Sequence, residues 1–237
     1  MKKQTSVLIA CPTGSAWVHK KILFAVVNLL GDKRYKKSFQ APTWTPYIQA
    51  LHRLGQDCID HNWDYLLTFD DDNPPARGNP LDLIELDKDI IGIPTPIWKD
   101  KKPGDRPVCL NVMRNIAGDN AEPDFRPADS YPEFEPSGVQ EVDAVGSGCM
   151  LIARRVFVEL FRRVRLSGDT RDLPFMRIWD LEGKVRISGD FAFCLRAKQA
   201  GFKVWASFDH QAQHFNELEV GHTFNSVVAS TREPAHD

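Results

Sequence analysis

Residues Trp63 to Pro75 read WDYLLTFDDDNPP. The run is apolar through Tyr65, Leu66, Leu67 and Phe69, meets three consecutive carboxylates at Asp70, Asp71 and Asp72, and closes on Asn73, Pro74 and Pro75. A short apolar run ended by turn residues predicts a buried strand of an α/β sheet. Ligands of such sheets bind beyond the carboxyl ends of the strands. Three acidic side chains there repel one another unless a cation or a ligand's positive charge offsets them. An acidic run at a turn is ordinarily a solvated face. Its place on the end of a core strand gives it a functional reading.

The flanking sequence repeats the alternation of strand and helix. Ser6–Cys11 (SVLIAC) predicts a first buried strand, and Pro12, Thr13 and Gly14 predict the loop after it. Residues 17–30 place Val18, Ile22, Ala25, Val26 and Leu29 at helical spacing before Gly31. The basic KRYKK at 33–37 reads as a solvated face or turn, and 38–41 as a short strand. Thr43 or Thr45 is a candidate cap for a helix with Pro46 in its first turn and Ile48, Leu51, Gly55, Cys58 and Ile59 as its apolar stripe. That helix leads directly into the acidic strand.

Beyond it, residues 80–87 predict a short helix and 89–93 (DIIGI) another buried strand. Residues 94–139 are rich in proline, glycine and charge; only 108–113 look strand-like, so an irregular insert is expected, of the kind that often forms a binding loop or lid. In residues 141–152 (EVDAVGSGCMLI), Gly146, Ser147 and Gly148 separate two apolar halves and allow close approach of another segment or a ligand. An amphipathic helix over 154–163, a polar loop at 166–172, a short apolar strand or turn at 174–179, a helix over 189–200 capped by Ser188, and a strand at 204–208 follow. In the helix over 189–200, Phe191, Cys194 and Leu195 are expected to share one face. His210 and His214 lie after that strand, and a polar tail runs from 217 to 237. No repeat or interdomain linker is visible, so residues 1–216 read as a single domain.

A chain of 237 residues can bury a sizeable core. Its 30 basic and 32 acidic residues leave a formal charge of −2, which implies no overall attraction to nucleic acid or membrane. Cys11, Cys58, Cys109, Cys149 and Cys194 are odd in number and contain no CxxC pair, which argues against a disulfide framework or zinc site and for a reducing compartment. The opening MKKQTSVLIAC has too short an apolar core for a signal peptide. No stretch approaches the roughly 20 apolar residues of a membrane span. A soluble, cytoplasmic protein without a transmembrane segment is expected.

Taken together and in order, FDDDN after an apolar strand, EVDAVGSGCMLIARRVF, and SGDFAFCLRAKQAGFKVW followed by a histidine resemble glycosyltransferases of the GT-A fold, particularly family-2-like enzymes. The resemblance runs from SVLIACPTG to His214 and is thinnest at 94–139. It implies a Rossmann-like, mostly parallel central sheet flanked by helices. It further implies a nucleotide-diphosphate sugar donor of UDP or GDP type and an acceptor whose identity it leaves open. On this sequence the Asp-x-Asp motif falls on Asp70 and Asp72. The resemblance makes Asp72 a ligand of Mn²⁺ or Mg²⁺, while Asp70 contacts that cation indirectly or holds the donor's ribose. Asp71 falls within the same donor-binding turn. Hard cations suit oxygen-rich sites and neutralise a diphosphate leaving group. His214 matches the family's second metal ligand, with His210 as the competing candidate.

By the same resemblance Asp190 is the general base that removes the acceptor hydroxyl's proton. A carboxylate at a helix start is equally a simple cap. The chain departs from the family pattern at Gly189, where relatives usually carry Glu. Pro12 and Thr13 are expected to line the nucleobase pocket. Gly146, Ser147 and Gly148 are expected beside the donor sugar, with tight helix–sheet packing as the alternative, and Asp143 is a further candidate for positioning a sugar hydroxyl. The leading function is metal-dependent, inverting glycosyl transfer. The alternatives are a nucleotidyltransferase that makes the sugar nucleotide, disfavoured by the single glycine and absent arginine of CPTGSAW, and a non-catalytic module that binds nucleotide sugars.

Overall fold

The computed structural model describes residues 4–14, 18–43, 45–98, 108–117 and 122–215. The tail expected over 217–237 and two parts of the insert lie outside the described residues. In chain order the elements are β1 (Ser6–Ala10), α1 (Lys20–Gly31), β2 (Lys36–Gln40), α2 (Tyr47–Asp60), β3 (Tyr65–Phe69), β4 (Pro75–Arg77), β5 (Ile90–Gly92), β6 (Pro96–Trp98), β7 (Val108–Leu110) and β8 (Val112–Asn115). There follow β9 (Phe125–Pro127), β10 (Val139–Val142), β11 (Ala144–Val145), β12 (Cys149–Ala153), α3 (Arg154–Ser167), β13 (Ile178–Trp179), β14 (Val185–Ile187), α4 (Gly189–Gln199), β15 (Val204–Ser207) and β16 (Gln211–Ala212). A 3₁₀ helix, Pro80–Leu86, begins at Asn79, whose side chain accepts from the Leu81 N–H.

The fold is a mixed α/β architecture around a seven-stranded sheet of order β10-β15-β5-β12-β3-β1-β2. Strands β1, β2, β3, β5 and β15 share one direction, while β12 and β10 run against them. Strand β3 sits near the middle, paired parallel to β1 and antiparallel to β12. Burial on both faces explains its continuous apolar reading. Alternation then sorts its side chains: Leu66 enters the core under α2, α3 and α4, while Leu67 and Phe69 enter the opposite core under α1 and the 3₁₀ helix. Asp70, in step with Leu66 and Thr68, leaves the strand on the α2–α4 side.

The first core is knit by aromatics from three segments. Phe175 stacks on Phe193 of α4 at 4.4 Å between centroids, and Phe157 of α3 lies 6.0 Å from Phe193. Such pairs add to the area they bury.

Several boundaries differ from the sequence expectations. Strand β2 starts at Lys36, inside the basic run, and Tyr35 is buried, its hydroxyl donating to Glu85. Helix α1 begins three residues late, leaving Val18 exposed. Neither Thr43 nor Thr45 caps α2: its N-cap position is Pro46, and Thr45 Oγ1 instead donates to the Thr43 carbonyl at 3.2 Å. Helix α3 continues to Ser167, taking the first two residues of the expected polar loop, and ends on Gly168 at φ 67°, the left-handed conformation glycine favours. In α4 the buried residues include Ala192, Phe193, Cys194 and Ala197, so Phe193 takes the inward place expected of Phe191. The insert is more regular than its composition suggests. In its described parts β6 and β7 pair antiparallel, and β8 and β9 pair with each other and join β11, which lies beyond the insert, in a small sheet. Pairs of such short strands carry too few residues for periodicity to show.

Candidate functional site

At the carboxyl end of β3 the chain turns within four residues, the Asn73 N–H donating to the Asp70 carbonyl at 3.2 Å. This turn is the meeting point of four separate segments. The first is the Gly146–Gly148 loop, where the Gly148 carbonyl accepts from the Asp70 N–H at 3.1 Å. The second is the start of α2, whose Tyr47 hydroxyl donates to Asp70 Oδ1. The third is the start of α4, bearing Asp190, and the fourth is the segment around His214.

Asp70 and Asp190 are joined through Tyr47 and Ser147. The single phenolic proton of Tyr47 goes to Asp70, so the Ser147 hydroxyl donates to the Tyr47 oxygen, at 2.8 Å. The Ser147 N–H in turn points at Asp190 Oδ2 from 3.4 Å. Asp190 Oδ1 accepts from the Ser188 hydroxyl and from the Phe191 N–H at 3.0 Å. Ser188 thus occupies the N-cap position of α4 but spends its hydroxyl on orienting Asp190 rather than on capping the helix.

The electrostatics follow from the crowding. Burial pushes the Asp70 carboxyl up to about 7, with the charges of Asp72, Asp190 and Asp71 adding to the rise and the Tyr47 hydrogen bond opposing it. Tyr47 is driven well above its ordinary value, first by burial and then by Asp70, and stays a protonated donor.

His214 reaches the turn by strand pairing. Strand β16 pairs with β4, the Gln213 N–H donates to the Pro74 carbonyl at 3.0 Å, and the Phe215 N–H donates to the Asp72 carbonyl at 2.8 Å. Antiparallel passage sets His214 Nε2 3.3 Å from Asp72 Oδ2, while its Nδ1 lies 3.1 Å from the Pro96 carbonyl. The Asp72 contact, ahead of the opposing effect of burial, raises the His214 pKa. Phe215 stacks on His19 at 4.1 Å, and Lys21 bonds Gln213 at 2.7 Å, tying this segment to the start of α1. His210 goes elsewhere: its Nδ1 lies 2.8 Å from Ser207 Oγ, and its ring packs under Gly78. Of the two histidines, His214 is the one beside the acidic turn.

The small residues mark close approaches. A Cβ on Gly146 would stand 2.2 Å from Asn111 Nδ2, and one on Gly148 2.6 Å from Asn73 Oδ1, so protein atoms fill the space beside both. The neighbours are side chains of the loop residues Asn73, Thr95 and Asn111, and Ser147, between the two glycines, is buried and hydrogen-bonded to Tyr47. Gly189 is pressed harder still. A Cβ there would lie 2.2 Å from Ile48 Cδ1 and 2.6 Å from the Phe175 carbonyl oxygen, which leaves no room for a Glu side chain.

The remaining candidates lie around this centre. Gly14 N–H donates to Asp71 Oδ2 at 3.3 Å, so the loop after β1 borders the acidic turn. Pro12 and Thr13 are buried in that loop, with the Thr13 N–H donating to the Pro42 carbonyl at 3.0 Å and its hydroxyl lacking a hydrogen-bond partner among the described residues. Asp143 is engaged by Lys198 and by the Asn115 N–H at 2.9 Å, at the side of the molecule where Arg114, Phe134 and Gln140 line a groove of about 340 Å³. Sequence reasoning missed Tyr47 altogether and treated Asn73 only as a turn residue, although its side chain donates to Asp72 Oδ1. No local pattern distinguishes a tyrosine in the first turn of a helix from any other.

Among the described residues no group of three or more His, Cys, Asp or Glu side chains stands in metal-ligand geometry. The donor set nonetheless fits a hard cation in part. Asp72 Oδ2 and His214 Nε2, an oxygen and an imidazole nitrogen of the kinds that ligate divalent cations, stand 3.3 Å apart beside the Asp70 carboxyl, whose pKa burial raises to about 7.

No family model matches this sequence, and no curated protein matches it. Among solved structures the chain is similar in fold to A197 from STIV, with a TM-score of 0.51, 12% identity, and coverage of 90% of this chain and 86% of that one. Looser superpositions include GalNAc-T7 with UDP, GalNAc and Mn²⁺ (TM-score 0.45, 13% identity, 91% of this chain and 44% of that one). Another is the 4-diphosphocytidyl-2C-methyl-D-erythritol synthase of Anaerococcus prevotii (TM-score 0.45, 11% identity, 95% and 100%). At these identities the likeness is one of fold.

Proposed function

We propose that this chain is a metal-dependent glycosyltransferase that moves a sugar from a nucleotide-diphosphate donor to an acceptor hydroxyl with inversion at the anomeric carbon. One observation carries the reading. The Asp72–His214 pair and the oriented carboxylate of Asp190 stand on the same end of the sheet, linked through Asp70, Tyr47 and Ser147.

In this reading Asp72 and His214 hold Mn²⁺ or Mg²⁺, and Asp70 and Asp71 face the donor. The cation's contribution, when bound, is to neutralise charge on the departing diphosphate. Pro12 and Thr13, in the loop after β1 that borders the acidic turn, line the pocket for the base. Asp190 accepts the acceptor hydroxyl's proton as that oxygen bonds to the anomeric carbon and the bond to the diphosphate breaks, the electron pair leaving with the diphosphate. Ser188, the Phe191 N–H and the Ser147 N–H fix the Asp190 carboxylate for that transfer.

The test is thermal melting with Mn²⁺ and a panel of UDP- and GDP-sugars, followed by transfer assays. A cognate donor at a hundredfold excess over its Kd adds about 2.7 kcal/mol, a rise of roughly 5–10 °C for a chain of this size. Asp72→Ala is expected to abolish both the rise and transfer while leaving the metal-free melting temperature in place. No stabilisation by any nucleotide diphosphate with metal overturns the proposal. Pyrophosphate release from a nucleoside triphosphate and a sugar 1-phosphate would assign nucleotidyl transfer instead, and donor binding without turnover a binding module.

A further inference from the structure

Helix α1 is apolar on both sides. Ile22, Val26 and Leu29 are buried against the sheet, as the helical period requires. The opposite face carries Leu23, Phe24, Val27 and Leu30 at 61%, 63%, 58% and 44% exposure, with Val18 at 41% just before the helix. This is the largest group of exposed large apolar side chains among the described residues. A soluble helix ordinarily puts polar residues there, so a continuous apolar ridge calls for an occupant.

Charge selects which one. No Asp or Glu occurs between Val18 and Gly31, whereas Lys20 and Lys21 stand at the leading end and Lys33 just beyond the trailing end, all exposed. Beyond the trailing end Asp32 and Asp82 pair with Arg34, and Glu85 accepts from the Tyr35 hydroxyl. From Val18 to Gly31 the formal charges are thus all cationic, and Asp32 just beyond is paired with Arg34, although the whole chain is slightly acidic. A second copy fits poorly. Antiparallel pairing would set the Lys20 end against Lys33, and parallel pairing would set Lys20 against Lys20. The ridge is also small. Twelve residues make a helix about 18 Å long, a footprint on the order of 200 Å², against the roughly 800 Å² per partner of a stable protein interface. A lipid surface requires no shape complementarity, and apolar side chains flanked by lysines suit the headgroup boundary of an anionic bilayer.

We infer that the outer face of α1 is a docking surface for an anionic membrane, with Leu23, Phe24, Val27 and Leu30 entering the interface and Lys20, Lys21 and Lys33 meeting the headgroups. This inference is independent of the proposed activity.

Co-sedimentation of the full chain with vesicles tests it. The chain is expected to pellet with equal-part phosphatidylglycerol and phosphatidylcholine vesicles and to remain in solution with phosphatidylcholine alone. Lys20→Gln and Lys33→Gln should each lower the partition coefficient roughly fivefold. The uncharged double variant Leu23→Ser/Phe24→Ser should reduce binding to the phosphatidylcholine level while melting as the parent does, since both side chains are exposed. Absence of binding to the anionic vesicles overturns the inference, as does equal binding by the double variant. A concentration-dependent dimer that Leu23→Ser/Phe24→Ser disperses would also overturn it, by giving the ridge to a second copy.

Discussion

Tyr47 is the residue on which the two halves of the candidate site depend. Its hydroxyl donates to Asp70 and accepts from Ser147, whose backbone faces Asp190. Tyr47→Phe removes the one contact that holds the Asp70 pKa down, so Asp70 is expected to titrate above its value of about 7, and NMR titration of the carboxyl measures it. The substitution also leaves Ser147 without its acceptor. A hydrogen bond to a charged group is worth about 1.5–3 kcal/mol, so transfer is expected to fall roughly ten- to a hundredfold, mainly in kcat if the network orients Asp190. His52 gives a separate pH signature. Its Nε2 accepts from the Phe175 N–H at 2.9 Å, which requires the neutral ring. Burial, with a smaller effect from Arg196, lowers its pKa from 6.5 to about 4. Between those values the native state binds fewer protons than the unfolded chain, so stability is full above 6.5 and falls as pH drops toward 4. Because the ring is partly exposed, the loss is discounted to about 1–2 kcal/mol. Denaturant unfolding across this window should show that slope in the parent and not in His52→Gln.

At the scale of elements, the start of α4 shows how packing dictates the departure at Gly189. The helix begins against Ile48 of α2 and the Phe175 carbonyl, and this contact delivers Asp190 to the Ser147 loop. Gly189→Ala is expected to cost about 1–3 kcal/mol through overpacking, measured by denaturant unfolding, and to impair transfer by displacing Asp190. Gly189→Glu should be worse on both counts, although it restores the residue more usual in the family that the sequence resembles. The absence of a carboxylate there is thus a packing consequence. The β4–β16 pairing has the same character: two short strands have little stability alone, yet their register places His214 at Asp72.

For the whole molecule, the sheet divides the interior into two cores with different tasks. The core under α2, α3 and α4 carries the elements that bear Tyr47 and Asp190, and the Phe157, Phe175 and Phe193 cluster joins them. Phe193→Ala is expected to cost about 3–5 kcal/mol and to lower transfer in step with stability, which melting and activity measured on the same sample can compare. The other core rests on α1 and the 3₁₀ helix and supports the membrane-facing ridge. Overall charge gave no hint of that ridge, because a net value of −2 averages over the whole chain.

The amino-acid sequence by itself determined the alternation of strands and helices, the burial of the strand at 65–69, and the carboxylates at its end. These follow from periodicity and turn chemistry, which are local and survive without knowledge of neighbours. It also nominated Asp190 and the two histidines. Only the tertiary structure decided that His214, and not His210, lies beside Asp72, that Tyr47 links Asp70 to Ser147, and that Gly189 has no space for a side chain. Each of these depends on which distant segments the sheet order and the β4–β16 pairing bring together. Contacts between segments so far apart in sequence have no local pattern to announce them.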